Sequence, residues 1–145
     1  MLISKPAVRD IDAIKSVADA NRNELGFILR VQIQEAVEQK RIMVATVEDK
    51  ITGFIIYRHR KKDLQTTVAE ICILKNYRGQ GLGRELIDAL VQECNRISRS
   101  YIQLKCPIDL PANEFYKRLG FCFVAIEPGK SRKLNIWRLQ IAQGR

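Results

Sequence analysis

The sequence predicts a single domain of the mixed α/β class, and three observations support this prediction. The chain has 145 residues, 46% of them hydrophobic and 28% charged, which is typical of a folded globular domain. The chain spaces its apolar residues first as helices do and then as strands do. A glycine-rich turn then joins a strand directly to a further helix. Two separately folded halves would each have too small a core, so residues 1–145 are taken as one domain.

The first 40 residues predict two helices. The apolar positions of the first recur at helical spacing and are Ile11, Ile14, Val17 and Ala18. They predict a helix from about residue 11 to residue 23, with Asp10 as its N-cap. Gly26 interrupts this pattern, and apolar residues at helical spacing then predict a second helix that ends in the polar run at residues 38–41.

The rest of the chain predicts six strands and two more helices. The strands are expected at residues 42–47, 51–57, 65–74, 101–106, 121–126 and 133–141, from their β-branched and alternating patterns. Residues 58–63 are basic and predict a solvated turn, which makes His59 a poor candidate for a catalytic base. A helix follows the glycine-rich turn, and a short helix at residues 111–119 ends at Gly120.

Composition narrows the class of protein. Lys and Arg number 25 against 16 Asp and Glu, for a net charge of +9, which favours an anionic partner without choosing among nucleic acid, a membrane surface and a phosphorylated cofactor. No apolar run approaches the roughly 18 residues that span a bilayer, so we expect a cytoplasmic protein with no membrane partner.

The four cysteines are widely spaced and His59 is the only histidine. We therefore expect no metal site and four buried thiols.

The segment from Arg78 to Arg84 is the most informative part of the sequence. Three glycines within five residues let the main chain adopt positive φ and approach a ligand closely. The helix that follows offers unpaired N–H groups and its positive dipole end, and the two flanking arginines can bind phosphate oxygens. These features predict an anion-binding turn.

Two other phosphate-binding motifs do not fit this segment. A P-loop needs Lys and then Ser or Thr after its last glycine, and Gly83 is followed by Arg84. A dinucleotide fingerprint needs its third glycine at position 84 or 86, which Arg84 and Leu86 occupy.

Two motifs resemble the GCN5-related N-acetyltransferase (GNAT) family. Arg78-Gly79-Gln80-Gly81-Leu82-Gly83 is similar to that family's Arg/Gln-x-x-Gly-x-Gly/Ala signature for acetyl-CoA, and residues 113–121 are similar to its Phe-Tyr-x-x-x-Gly-Phe element. The order of predicted helices and strands also follows the family. The resemblance implies a mixed, mostly antiparallel sheet of about six or seven strands with about four helices, in which two strands splay apart to admit acetyl-CoA.

The resemblance also implies which residues form the site. The cofactor-binding set would be Ile71, Cys72, Ile73, Arg78, Gly79, Gln80, Gly81, Leu82, Gly83, Arg84, Asn113 and Tyr116. Tyr116 would be the general acid for the departing thiolate, although an aromatic core position is its alternative. Many family members place an asparagine six or seven residues before this tyrosine, whereas Asn113 precedes it by three, so its role stays open between helix cap and cofactor contact.

The residues themselves suggest a base. Glu70 is an isolated carboxylate in an apolar strand, where it should be paired or have a raised pKa useful for proton removal. A water relay, or a Glu70 that faces solvent, is the alternative.

The implied function is direct transfer of an acetyl group from acetyl-CoA to a primary amine of a small molecule, a peptide N-terminus or a lysine. Glu24 and Phe27 are the candidate acceptor-binding residues, and the oligomeric state is expected to be a monomer or homodimer. Two alternatives remain: a basic nucleic-acid-binding module, and an acyl-CoA sensor with the same fold but no turnover.

Overall fold

The computed structural model describes residues 1–141, which contain five α-helices and seven β-strands. The helices are α1 (Ile11–Ala20), α2 (Arg22–Leu25), α3 (Arg30–Glu38), α4 (Leu82–Arg96) and α5 (Ala112–Arg118). The strands are β1 (Leu2–Ser4), β2 (Ile42–Val47), β3 (Lys50–His59), β4 (Gln65–Ile73), β5 (Tyr101–Pro107), β6 (Cys122–Glu127) and β7 (Leu134–Gln140). Among these residues, no helix has both the length and the apolar character that crossing a bilayer requires.

The strands form one hydrogen-bonded sheet in the order β1-β2-β3-β4-β5-β7-β6. The pairs β1–β2, β2–β3, β5–β7 and β6–β7 are antiparallel, and β4–β5 is parallel. The predicted fold class, a mixed and mostly antiparallel sheet with flanking helices, is confirmed. The additional strand is β1, which pairs with β2 at the edge of the sheet.

Two details at the first helix differ from the prediction. The helix ends at Ala20 rather than at residue 23, because the side-chain amide of Asn21 donates to the Val17 carbonyl at 3.0 Å and competes with the helix backbone. The short helix α2 follows separately. Asp10 is the N-cap residue of α1 as predicted, but its side chain makes no capping hydrogen bond to that helix, because its carboxylate accepts the Ala7 N–H at 2.8 Å and closes the preceding 3-10 turn, Val8–Asp10.

The chain divides into two compact units. The first comprises Met1–Tyr57 and Ala69–Leu90, and the second comprises Arg58–Val68 and the chain from Val91 onward. The core of the first unit joins the apolar faces of α1 and α3 to β2 and β3. Its fully buried members are Ile14, Ile33, Ala36, Ile42 and Phe54. Each large side chain buried in this way contributes about 1.5–3 kcal/mol.

A glycine lets β3 and β4 approach closely in the first unit. A Cβ atom placed on Gly53 would lie 2.5 Å from Cδ1 of Ile73 and 2.9 Å from the carbonyl oxygen of Cys72. The Leu74 N–H donates to the Thr52 carbonyl at 2.8 Å beside this contact. Gly53 therefore sets the position of the last residues of β4, which lead into the glycine-rich turn.

The second unit is built on β5, β6 and β7. Residues Tyr101–Pro107 of β5 pair in continuous register with β7, and Leu104 is opposite Trp137. The parallel register of β4 with β5 covers Gln65–Thr67 against Tyr101–Gln103, the first three residues of each strand. β6 is the edge strand, and most of its side chains are exposed.

Candidate active site

The glycine-rich turn has the backbone conformation that the sequence predicts. Gly79 has φ 78° and Gly81 has φ 85°, in the left-handed region that favours glycine. A Cβ atom added at either position would meet no atom within 4 Å. The glycines are therefore required by the backbone conformation and not by crowding within the protein, and the space beside them is open to a ligand.

Helix α4 begins directly after this turn. The Glu85 N–H donates to the Gly81 carbonyl at 3.0 Å, at the start of the helical hydrogen-bond pattern. The amides of the first turn before Glu85 have no acceptor within an α-helix, because helix geometry leaves the first N–H groups without a partner. Arg84 is exposed in that turn, whereas Leu82 is buried and anchors it. An open glycine turn, a positive helix end and an exposed guanidinium together fit a diphosphate group.

Arg78, the first residue of the motif, has its side-chain partners outside the turn. Its Nε donates to the carbonyl of Ile73 at 3.0 Å, one Nη donates to Oδ1 of Asn21 at 2.5 Å, and the other donates to Oε1 of Glu24 at 3.2 Å. All three guanidinium nitrogens thus have acceptors within the first unit. The resemblance placed Arg78 in the cofactor-binding set, and in the structure its side chain contacts the end of β4, the residue between α1 and α2, and α2 itself.

The strand that precedes the turn presents Cys72 to α1. Its Sγ lies 3.8 Å from the carbonyl oxygen of Val17, and burial raises the pKa of the thiol to about 12. A protonated, buried thiol is a packing group and not a nucleophile. Its neighbours Ile71 and Ile73 are half-buried. The main chain of these three residues is the part that the prediction assigned to the cofactor.

Glu70 lies two residues before Cys72, so both side chains are on the same face of β4. Burial alone raises the pKa of the Glu70 carboxyl from its ordinary 4.5 to about 7. The carboxylate of Glu70 also acts electrostatically on the Cys72 thiol, as does the Arg78 guanidinium. A half-buried carboxyl that titrates near neutrality is suited to accept a proton.

The two predicted acceptor residues lie at the end of α2. Glu24 pairs with Arg78 at 3.2 Å, and Gly26, at φ 75°, ends the helix. Phe27 follows with 72% of its surface exposed, and the guanidinium carbon of Arg22 lies 5.4 Å from its ring centroid. The segment Arg22–Phe27 therefore offers an acidic and an aromatic side chain to a ligand.

Tyr116 lies in the second unit, on α5. Its side chain is buried, and its ring makes a tilted contact with Phe115 at 5.5 Å and an edge contact with Phe121 at 5.9 Å between centroids. Gly120, with φ 98°, follows α5 and leads to Phe121. The ring of Tyr116 therefore packs in the aromatic core, and the role of its hydroxyl as a general acid stays a prediction.

Asn113 has a structural role. Its Nδ2 donates to the carbonyls of Pro107 at 2.9 Å and Leu110 at 2.8 Å, while its Oδ1 accepts Nε1 of Trp137 at 2.9 Å and Nδ2 of Asn135 at 3.0 Å. The amide therefore joins the loop after β5 to β7. Both ends of the side chain are thus engaged inside the second unit, and a contact of Asn113 with the cofactor stays a prediction.

The prediction of a solvated turn at His59 is wrong. β3 continues through His59, whose Nδ1 lies 2.7 Å from Oγ1 of Thr66 and whose Nε2 lies 2.6 Å from Oε2 of Glu93. The alternation of β3 could have indicated this, because His59 follows the buried Tyr57 at the two-residue period of a strand. The surrounding basic residues obscured that signal.

The cysteines follow the prediction with one exception. Cys72, Cys94 and Cys106 are buried, and Cys122 is exposed at the start of edge strand β6. Within residues 1–141, no group of three or more His, Cys, Asp and Glu side chains is arranged to hold a metal ion.

An open groove of about 590 Å³ lies in the first unit. Its lining includes Asp10, Val17, Asp49, Lys50 and Leu74. None of the predicted cofactor or catalytic residues lines this groove, although Leu74 directly follows Ile73.

Comparison with known proteins agrees with these features. Residues 38–122 match the family model described as an acetyltransferase (GNAT) domain. N-alpha-acetyltransferase 30 of Schizosaccharomyces pombe is 35% identical over 83 residues, a match that covers 54% of this chain and 55% of that protein. The chain thus spans about half the length of the curated relative that it matches.

Solved structures share the fold over nearly the whole chain. The crystal structure of Ard1 from Thermoplasma volcanium superposes with a TM-score of 0.87 at 21% identity, covering 98% of both chains. An aminoglycoside 6'-N-acetyltransferase complexed with coenzyme A superposes with a TM-score of 0.84 at 16% identity, covering 100% of this chain and 99% of that one. Identities at this level show a common fold.

Proposed function

Because the chain belongs to the GNAT acetyltransferase family, we propose that it is an acetyl-CoA-dependent N-acetyltransferase that acetylates a primary amine directly, within a ternary complex. The observation that carries this proposal is the open glycine turn at the start of α4. Positive φ at Gly79 and Gly81 and empty space beside both residues are what a close backbone contact with a diphosphate needs.

The cofactor would be held mainly by main-chain groups. The amides from Gly79 to Arg84 would bind the diphosphate, with Arg84 adding its positive charge, and the main chain of Ile71–Ile73 would pair with the pantetheine arm. Bound acetyl-CoA would supply the acetyl group as a thioester. The presence of coenzyme A in the aminoglycoside acetyltransferase of the same fold supports this assignment.

Glu70 would act as the general base. A primary amine reaches the site mostly as an ammonium ion and must lose a proton before it can attack the thioester carbon. With a pKa of about 7, the Glu70 carboxylate is a much better proton acceptor than an ordinary glutamate and is still largely ionised above neutral pH. Tyr116 would donate its hydroxyl proton to the departing thiolate.

We further propose that the acceptor is the α-amine of a peptide N-terminus. The curated relative named as an N-alpha-acetyltransferase supports this choice over a lysine or a small molecule. Glu24 could attract the terminal ammonium, and the exposed ring of Phe27 could pack against an apolar side chain of the first residues.

The test is an acetyl-transfer assay with acetyl-CoA and a panel of peptides that differ in their first two residues. Thiol release would measure turnover, and mass spectrometry would locate the acetyl group. We expect the α-amine to be acetylated. Matched peptides with a blocked N-terminus should not be acetylated.

Three other outcomes would each contradict part of this proposal. Acetylation confined to lysine side chains or to aminoglycosides would reject the peptide N-terminus as acceptor. Binding of coenzyme A without turnover on any amine would favour the sensor alternative. Salt-dependent binding to random DNA, with no stabilisation by coenzyme A, would favour the nucleic-acid alternative.

A further inference from the structure

Arg78 connects the cofactor turn to the segment proposed to bind the acceptor. It immediately precedes Gly79 in the chain, and its three side-chain nitrogens donate to Ile73, Asn21 and Glu24. Ile73 ends β4, Asn21 joins α1 to α2, and Glu24 lies in α2. One side chain therefore spans the strand end, the helix junction and the acidic residue of the acceptor segment.

The contact with Asn21 is the most protected of the three. Asn21 is 6% exposed, and its own Nδ2 donates to the Val17 carbonyl of α1 at 3.0 Å. The Asn21 side chain is thus hydrogen-bonded to α1 through its Nδ2 and to Arg78 through its Oδ1. The ion pair of Arg78 with Glu24 is more exposed, so it orients Glu24 more than it stabilises the fold.

We infer that Arg78 is a positioning residue for the acceptor segment Arg22–Phe27, which it holds against the end of β4, and that its side chain does not bind the cofactor diphosphate. This inference rests on the proposed function for its catalytic consequence, but its geometric content concerns the first unit alone. Arg84, which is exposed on the first turn of α4, supplies the arginine charge at the turn instead.

Loss of the Arg78 side chain should leave the amides of the turn in place and let Arg22–Phe27 move. The expected loss is therefore in acceptor recognition rather than in cofactor affinity.

The first test compares Arg78→Ala with Arg84→Ala by calorimetric titration with coenzyme A. We expect Arg78→Ala to change the Kd for coenzyme A by less than about threefold, and Arg84→Ala to raise it by about tenfold. A rise of about tenfold or more in Arg78→Ala would overturn the inference, because it would identify the side chain as a diphosphate ligand. Arg78→Lys keeps the charge and replaces Arg78→Ala if the alanine variant does not fold.

The second test measures steady-state kinetics with the peptide acceptor at saturating acetyl-CoA. We expect Arg78→Ala to raise the acceptor KM about tenfold with a smaller change in kcat, and Glu24→Gln to add little further loss in the Arg78→Ala background. Fully additive effects of the two substitutions, or an unchanged acceptor KM, would overturn the inference. Arg78→Lys should restore only part of the loss, since an ammonium cannot reach three acceptors at once.

A third measurement needs no activity. Hydrogen exchange of the amides at residues 21–27 should be faster in Arg78→Ala than in the wild type and in Arg84→Ala, with or without coenzyme A. Unchanged exchange there would overturn the inference even if the enzyme is active. If no amine is acetylated but exchange at residues 21–27 rises, the proposed function fails and the positioning role of Arg78 stands.

Discussion

Glu70 is the residue on which the chemistry depends most. Burial raises the pKa of its carboxyl to about 7, so the fraction of the ionised base increases as pH rises through neutrality. We predict that kcat/KM of the wild type rises through an inflection near pH 7. Glu70→Gln should lower kcat/KM by about 10²–10⁴ and remove that inflection, while the one from the amine itself, near pH 8, remains.

The measurement is kcat/KM for a peptide acceptor between about pH 5.5 and 9. If Glu70→Gln leaves the pH profile of kcat/KM unaltered, Glu70 is not the base, and a water relay must accept the proton. Glu70→Asp serves as the control, because it keeps a carboxyl but withdraws it by one methylene.

The same shift predicts an effect of pH on stability. The folded state holds a proton on Glu70 at pH values where the unfolded chain has lost it, so the free energy of unfolding falls as pH rises from about 4.5 to about 7. Glu70→Gln should therefore stabilise the protein at pH 8 by up to about 3 kcal/mol and have little effect at pH 4. Urea unfolding of the wild type and of Glu70→Gln at the two pH values measures this difference. If the difference in the free energy of unfolding between the two proteins were the same at pH 4 and pH 8, the result would contradict a raised pKa of Glu70.

Tyr116 tests the proton donor. Tyr116→Phe keeps the ring contacts with Phe115 and Phe121 and removes only the hydroxyl. We predict that kcat falls by about 10–100-fold while the Kd for coenzyme A stays within about twofold. An unchanged kcat would reduce Tyr116 to the aromatic core position that was its alternative in the sequence.

Substitutions at Gly53, in strand β3, and at Gly81, in the turn before α4, should have different effects, the first on stability and the second on cofactor binding. Gly53→Ala places a Cβ against Ile73 and Cys72, so it should destabilise the protein by about 1–3 kcal/mol. Gly81→Ala meets no atom but must hold φ near 85°, at a cost of about 1 kcal/mol, and should mainly weaken coenzyme A binding. Thermal melts with and without coenzyme A measure both effects. If Gly81→Ala binds coenzyme A as well as the wild type does, the backbone at Gly81 does not contact the cofactor.

The elements that sequence predicts well are those with a local cause. The span 42–47 was predicted from its β-branched residues and is β2, and the helix after the glycine turn was predicted from its apolar spacing and is α4. The end of α1 was missed because it depends on one side chain, Asn21, turning back to Val17. A pattern of apolar residues carries no information about that hydrogen bond.

Site features with a local cause could be predicted from the sequence, whereas contacts between distant residues could not. Positive φ at Gly79 and Gly81 follows from glycine itself, and the raised pKa of Glu70 follows from a lone carboxylate in an apolar strand. The direction of Arg78 could not be predicted, since its partners Asn21 and Glu24 lie 57 and 54 residues away. The contact of His59 with Glu93, 34 residues distant, could not be predicted either, although the alternation of β3 indicates that His59 lies in that strand.

The molecule as a whole carries a net charge of +9, and this charge should help to attract an anionic cofactor. We predict that the Kd for coenzyme A rises with salt between about 50 and 500 mM, because screening weakens the attraction between the protein and the phosphates. Titrations of the wild type and Arg84→Ala across this range measure the slope, which should be smaller in the variant. An affinity independent of salt would show that the net charge has no part in cofactor binding.

A crystal structure of the protein with coenzyme A would show directly whether the main chain of the glycine turn holds a diphosphate. We expect phosphate oxygens within about 3 Å of amide nitrogens between Gly79 and Arg84, at the start of α4. A diphosphate bound at another place, with side chains filling the turn, would contradict this mode of cofactor binding.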